Sequence, residues 1–242
     1  MKHLTKLKDD VLYYGEYGQQ WLSNSDIYSL LKDPKSFRQP KDQTKAMLEG
    51  RYFHTALLEP NKLDQYEVVD IASRNSKAYK EELEKNNGKM LLLKKEKENL
   101  DLMIDVINKN AEMSSQINAI SNKYEIPMTK NIMGVEWKGK ADIVCDSKLI
   151  DIKTSSSISD FKYSARKYNY DSQAFIYQEL FNKPLEFFVI DKTTKQLGIF
   201  IPGVEFIERG RNKVEQAIEV YSNFFIDGCT EDINQYIQHE IL

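Results

Sequence analysis

The stretch Gly139-Lys-Ala-Asp-Ile-Val-Cys-Asp-Ser-Lys-Leu-Ile-Asp-Ile-Lys-Thr-Ser155 places three residues able to do chemistry within a short span: Asp142, Asp151 and Lys153. Two runs of alternating apolar residues flank the polar break at Asp146-Ser147. A tight turn there pairs Cys145 with Lys148, Val144 with Leu149, Ile143 with Ile150, and so Asp142 with Asp151. Opposed residues of an antiparallel pair have Cβ atoms about 5 Å apart, and like charges there destabilise the sheet. A divalent cation between the carboxylates removes the clash. Mg²⁺ takes oxygen ligands, commonly one or two carboxylates with waters and a substrate phosphate, and the backbone carbonyl of Ile152 is a further candidate ligand. Lys153, on the same strand face as Asp151, would orient or deprotonate the attacking water and stabilise charge on the phosphate. The chemistry indicated is metal-dependent phosphodiester hydrolysis. Against it stands the ordinary role of Asp and Lys at strand ends as solvated residues, and a one-residue slip would separate the faces.

Several elements must position these groups. Residues 1–22 are polar and aromatic and read as irregular chain or a short hairpin. Ser23 or Ser25 caps a helix carrying Ile27, Leu30 and Leu31, which Asp33-Pro34 ends. Residues 43–58 read as a helix, and the charged stretch 76–119 as one or two mostly exposed helices. From residue 124 the period changes to two, giving strands over 124–132, 134–145 and 148–155. A helix over 158–182 follows, then a hairpin of 185–192 and 196–203 around Lys-Thr-Thr-Lys, and a closing helix over 204–226. This order predicts an α/β (α+β) fold with a mixed central sheet flanked by helices. We expect one domain over 1–242, with a helical part at 22–119 and a catalytic core at 120–228.

The totals narrow the function classes. Net charge is −3, which argues against a chain coated in nucleic acid but leaves room for one that reaches phosphates through a metal and a local basic stripe. The two cysteines, Cys145 and Cys229, cannot build a four-thiolate zinc or iron–sulfur site. The N-terminus is too polar for a secretory signal and no apolar run is long enough to span a membrane. The expectation is a cytoplasmic protein with reduced thiols.

Asp142 followed by Asp151-Ile152-Lys153 resembles the signature of the PD-(D/E)XK nuclease superfamily, although Lys140-Ala141-Asp142 lacks the proline of the first motif. In the next predicted helix, Gln173 and Tyr177 form the Q-x-x-x-Y pair of the RecB-type branch, one turn apart on one face. Upstream, Gly50-Arg-Tyr-Phe-His54-Thr-Ala-Leu-Leu-Glu-Pro60 is similar to a segment of the RecE (exonuclease VIII) group, as are residues 151–177 and 22–34. The similarity spans roughly residues 22–190.

The resemblance implies a mixed sheet flanked by helices and Mg²⁺- or Mn²⁺-dependent cleavage of DNA. In the RecE group the substrate is a linear duplex resected from its 5′ end. The product is a single-stranded tail for a single-strand annealing protein, the enzymes form homo-oligomeric rings, and phages and prophages carry them. Asp142 and Asp151 would be metal ligands with Ile152, and Lys153 would act near the water. Gln173 and Tyr177 would hold the DNA strand or the active-site helix. His54 would be a ligand or phosphate contact, and Glu125 could supply an acidic group from the first strand. Tyr163, Tyr168 and Tyr170 lie among Lys162, Arg166 and Lys167, a mixture suited to single-stranded DNA and equally to a tyrosine-rich amphipathic helix. Two alternatives stay open: an endonuclease or single-strand nuclease on the same fold, and a catalytically dead module that binds DNA or a partner.

Overall fold

The computed structural model describes residues 2–40, 42–226, 228–229 and 231–237. The chain begins with two short helices, α1 (Lys2–Lys6) and α2 (Asp10–Tyr14), and a 3₁₀ turn at Glu16–Gln20. The expected irregular or hairpin segment is therefore helical. Tertiary anchors explain the difference: Leu7 and Tyr13 are buried although neither helix is long enough to hold itself. Helix α3 (Asn24–Lys32) starts where Ser23 N–H donates to the Asp26 carboxylate at 2.8 Å, and α4 spans Lys45–Leu58 behind a Thr44 cap.

The charged stretch holds three helices rather than one or two: α5 (Lys77–Lys85), α6 (Lys94–Lys109) and α7 (Ala111–Ile117). Strand β1 (Val68–Val69) precedes α5, and β2 (Leu92–Leu93) follows it and pairs with β1 in parallel. Left-handed Asn87 and Gly88 stop α5, with Gly88 N–H returning to the Leu83 carbonyl. The Asn110 side chain caps α7. Nor is this stretch mostly exposed. Leu100, Met103, Ile107, Met113 and Ile117 are buried because this face of α6 and α7 covers the main sheet, and Tyr79, Leu91 and Leu93 are buried in a small cluster of their own around β1 and β2.

The main sheet has five strands in the order β3 (Lys123–Ile132), β4 (Val135–Val144), β5 (Leu149–Ser155), β6 (Leu185–Asp191) and β7 (Leu197–Phe200). Only β5 and β6 run parallel; the other neighbours are antiparallel, so the sheet is mixed as predicted. The crossover from β5 to β6 is two helices, α8 (Phe161–Lys167) and α9 (Tyr170–Phe181), not one. Asn169 separates them at φ 58°, a conformation asparagine tolerates better than most residues. Helix α10 (Val204–Phe224) packs on α9 and α3.

Each sheet face has its own core. One cluster joins Trp137, Leu149, Phe187 and Val189 to Ala174, Ile176 and Val214 from the α9 and α10 side. The other joins Ile143, Ile150, Ile152, Phe188 and Ile190 to Phe53, Leu100, Met103 and Ile117 from the α4, α6 and α7 side. A sheet covered on both faces reads as continuous apolar runs, and the two charges in Leu149-Ile-Asp-Ile-Lys153 therefore stand out.

Gly139 sets how closely α9 approaches β4. A Cβ there would lie 2.6 Å from Leu180 Cδ1 and 2.8 Å from Tyr177 Cε1. Gly139→Ala is expected to destabilise the fold by about 1–3 kcal/mol through overpacking, read as a lower urea midpoint at unchanged slope. An unchanged midpoint would show that α9 has room to shift.

Candidate active site

The β4–β5 ladder follows the expected register for two pairs, Ile143–Ile150 and Val144–Leu149, with Cys145 N–H donating to the Lys148 carbonyl. It stops there, and the expected Asp142–Asp151 pair does not form. Alternation of hydrogen-bonded pairs would send the Ile152 N–H to the Ala141 carbonyl next. Instead it donates to Asp142 Oδ2 at 2.8 Å. The side chain thus takes over a ladder bond, and the strands fork beyond it.

The other neighbour of β4 is distorted at the same point. Tyr124–Ile143 and Ile126–Ala141 pair in register, and Glu125, between them and facing Asp142, has φ 50°. Side-chain alternation inverts across this point. Trp137 and Ala141 belong to the α9-side core and Ile143 to the opposite one. A non-glycine residue with positive φ inside a strand is costly and persists only where the surroundings hold it. Here it brings a third acidic group to the fork.

His54 arrives from α4. Its Nδ1 lies 3.3 Å from Asp142 Oδ2. One ligand atom each from His54, Glu125 and Asp142 lies within 4.8 Å of the others. Across the fork, Asp151 sits against Lys153 and Gln173 instead: Lys153 Nζ is 2.6 Å from Asp151 Oδ2 and Gln173 Nε2 donates to Oδ1 at 2.5 Å. Asp151 therefore has its charge partner at Oδ2 and its amide donor at Oδ1, and the whole carboxylate is buried.

The charges are strongly perturbed. Burial and the adjacent Asp142 raise Glu125 to about 8. Burial opposes ionisation of Asp142, but His54, Lys153 and the Ile152 N–H outweigh it and hold that carboxyl below its ordinary value. Burial works against the His54 imidazolium, yet Asp142 raises it to about 9. Asp151 is raised to about 6, by burial first and with Asp142 adding to it against Lys153. Lys153, despite burial, is raised by Asp151 and stays protonated.

This donor set fits a divalent cation. Two acidic side chains and an imidazole converge, burial and the adjacent Asp142 raise the Glu125 carboxyl, and a second buried carboxylate, Asp151, stands across the fork. A nitrogen among oxygens suits a transition ion such as Mn²⁺ as well as Mg²⁺.

Of the residues singled out in the sequence, the fork gathers Asp142, Asp151, Lys153, His54 and Gln173. Tyr177 hydroxyl donates to the Lys140 carbonyl at 3.0 Å. Gln173 and Tyr177 therefore both fasten α9 to the strands, and both line the clefts at the fork. The Ile152 side chain lies in the α4-side core while its N–H serves Asp142. Tyr170 lies under the Lys153 ammonium, 4.8 Å from Nζ to ring centroid. Lys162 and Arg166 are exposed on α8 and line neither cleft at the fork. Sequence reasoning missed Lys138, Lys140 and Asp10. Lys138 and Lys140 are buried beside the site, and Lys140 Nζ contacts Asp10 Oδ1 at 2.5 Å. The run of charges at alternate positions of β4, Glu136, Lys138, Lys140 and Asp142, was the available signal.

Residues 25–226 match the family model of a PDDEXK-like domain of unknown function, DUF3799. The crystal structure of a "Putative exonuclease" from Eubacterium rectale superposes with a TM-score of 0.65 at 18% identity, covering 97% of this chain and 95% of that one. The likeness establishes a shared fold. A second structure, SSO0001, aligns at a TM-score of 0.34 and 16% identity over 74% of this chain and 87% of that one, too weakly to carry any argument. No functionally curated protein matches. The forked mixed sheet and the family match agree: the chain belongs to the DUF3799 family of PDDEXK-like domains, within the PD-(D/E)XK superfamily.

Proposed function

We propose that the protein is a divalent-metal-dependent deoxyribonuclease that resects linear double-stranded DNA from its ends. The reading includes a RecE-like 5′ to 3′ direction, single-stranded tails passed to an annealing protein, a homo-oligomeric ring and action in the cytoplasm of a bacterial or phage-infected cell. These finer features rest on the sequence resemblance. The nuclease chemistry rests on one observation above the others: His54, Glu125 and Asp142 converge beside the Asp151–Lys153 pair where β4 and β5 fork.

His54, Glu125 and Asp142 would hold the cation from one side of the fork, and Asp151 Oδ2 would complete the set from the other. When bound, the cation supplies Lewis-acid polarisation of a phosphoryl oxygen and an acidified water. Lys153, held protonated, offers its charge to the phosphate oxygens in the transition state and orients the attacking water. Gln173 keeps Asp151 in place, and Tyr177 keeps β4 at its distance from α9.

The test is digestion of a linear duplex labelled separately at each 5′ and 3′ end, with Mg²⁺, Mn²⁺ or EDTA, beside a covalently closed circle. The expected result is metal-dependent loss from 5′ ends with the circle spared. Cutting of the circle would replace the exonuclease by an endonuclease. Absence of cleavage with either metal, where a control exonuclease works, would overturn the nuclease reading.

A further inference from the structure

Two clefts meet at the fork. One, of about 470 Å³, is lined by His54, Glu125, Asp142 and Asp151. The other, of about 650 Å³, is lined by Lys138, Arg38, Trp21 and Tyr170. Tyr14, Lys140, Lys153, Gln173 and Tyr177 line both. The wall between them is thus made in part by α2, a helix of five residues.

Lys138 and Lys140 are alternate residues of β4, about 6.8 Å apart, and lead along the strand towards Asp142. Both are buried, with 6% and 7% of their surfaces exposed. Buried lysines require partners, and both find them in α2. Lys138 Nζ donates to the Tyr13 carbonyl. Lys140 Nζ pairs with Asp10 Oδ1, and its side chain is 5% exposed where that of Asp10 is 63% exposed. The two ammonium groups lie 4.3 and 4.5 Å from the Tyr13 ring centroid. From α2 these two lysines thus receive one carboxylate and one neutral carbonyl, while Asp26 acts on Lys138 and Glu125 on Lys140 from other elements. The cover is held by few groups, the buried Tyr13 and the two lysine contacts: Val11 is 81% and Tyr14 72% exposed, and so short a helix has no stability apart from those contacts.

We infer that Lys138 and Lys140 form a lane for successive phosphates of a single DNA strand leading into the fork, and that α2 covers this lane through an Asp10–Lys140 latch which the strand displaces. The inference rests on the nuclease reading above and adds to it how substrate enters. Asp10 holds the place of a phosphate oxygen. A strand brings two negative charges where the cover brings one. It also brings bases, for which the half-buried Trp21 at the second cleft is the stacking partner. A duplex end that frays can present such a strand.

The test is fluorescence anisotropy of a labelled single-stranded oligothymidylate with the full chain in EDTA, paired with hydrogen exchange of residues 9–14. Asp10→Asn is expected to tighten binding about fivefold, the upper value for a pair of this exposure. In a Lys140→Gln background the same substitution is expected to change nothing, because the two residues act as one unit. Bound oligonucleotide is expected to increase exchange in 9–14 of the unaltered chain, a measurement that needs no variant to fold. Weaker or unchanged binding by Asp10→Asn, or greater protection of 9–14 with oligonucleotide, would overturn the inference. Metal is absent throughout, so the outcomes separate. A chain that cleaves but ignores Asp10→Asn keeps the nuclease reading and loses the lane. One that responds but never cleaves keeps the lane and loses the nuclease reading.

Discussion

Asp142→Asn is expected to lower metal-dependent cleavage of linear duplex by at least about a thousandfold, while the chain stays folded. Three neighbours make this residue the centre of the site. Asp142 has a carboxylate oxygen within 4.8 Å of one of Glu125, pairs with His54 at 3.3 Å and accepts the Ile152 N–H at 2.8 Å. Asparagine keeps the size and an acceptor oxygen for Ile152, so the fork survives. It removes the negative charge that keeps His54 protonated and that would join in holding a cation. Loss of cleavage should therefore come with loss of Mn²⁺ binding by calorimetry and with unchanged near-ultraviolet dichroism. Full activity in Asp142→Asn would remove the fork from the mechanism.

The sequence shows much of this site because strand chemistry is local. The turn at Asp146-Ser147 and the alternation on either side were enough to derive the Ile143–Ile150 and Val144–Leu149 register. Where the ladder ends was not legible. Nothing in Asp142-Ile-Val-Cys-Asp-Ser-Lys-Leu-Ile-Asp151 says that a carboxylate, rather than the Ala141 carbonyl, will take the Ile152 N–H. Glu125 carried little signal of its own, since its place in the site depends on one backbone conformation, φ 50°, that glutamate rarely adopts. His54 is legible only through its resemblance to a family segment, because its position beside Asp142 is set by how α4 lies over the sheet. The helical N-terminus was hidden for a different reason. Asp-Val-Leu-Tyr-Tyr is too short to announce a helix, and contacts distant in sequence make it one. The breaks inside the predicted long helices were written more plainly. Asn86-Asn-Gly88, Asn110 and Asn169 are residues that favour caps and left-handed backbone.

Without metal, the site should cost the fold stability as pH rises, and a cation should reverse that. Glu125 is raised to about 8, Asp151 to about 6 and His54 to about 9. Each binds protons more tightly folded than unfolded. Each therefore contributes stability that is complete below its unfolded pKa and is lost as pH rises through its folded one. Asp142, held below its ordinary value, works in the opposite sense in the acid range, and Lys138, lowered to about 8 by burial, does so above that pH. The metal-free chain is thus expected to melt at progressively lower temperature from pH 5 to about pH 8, with the fall levelling above it. Mn²⁺ at a hundred times its dissociation constant adds about 2.7 kcal/mol, a rise of about 5–10 °C for a chain of this length. The rise should be larger at pH 8 than at pH 5, because the cation takes the place of protons on the same groups. Glu125→Gln tests the assignment from both directions. It removes the buried carboxyl, so the metal-free melting temperature at pH 8 should go up and its slope with pH should flatten. It also removes a ligand, so most of the response to Mn²⁺ should disappear. Mn²⁺ should act at lower concentration than Mg²⁺, since one donor is a histidine nitrogen. Differential scanning fluorimetry from pH 5 to 9, with EDTA and with each metal, reads all of these. An equal rise at every pH that persists in Glu125→Gln would place the cation elsewhere. The positive φ of Glu125 would then be left without the function that its cost implies.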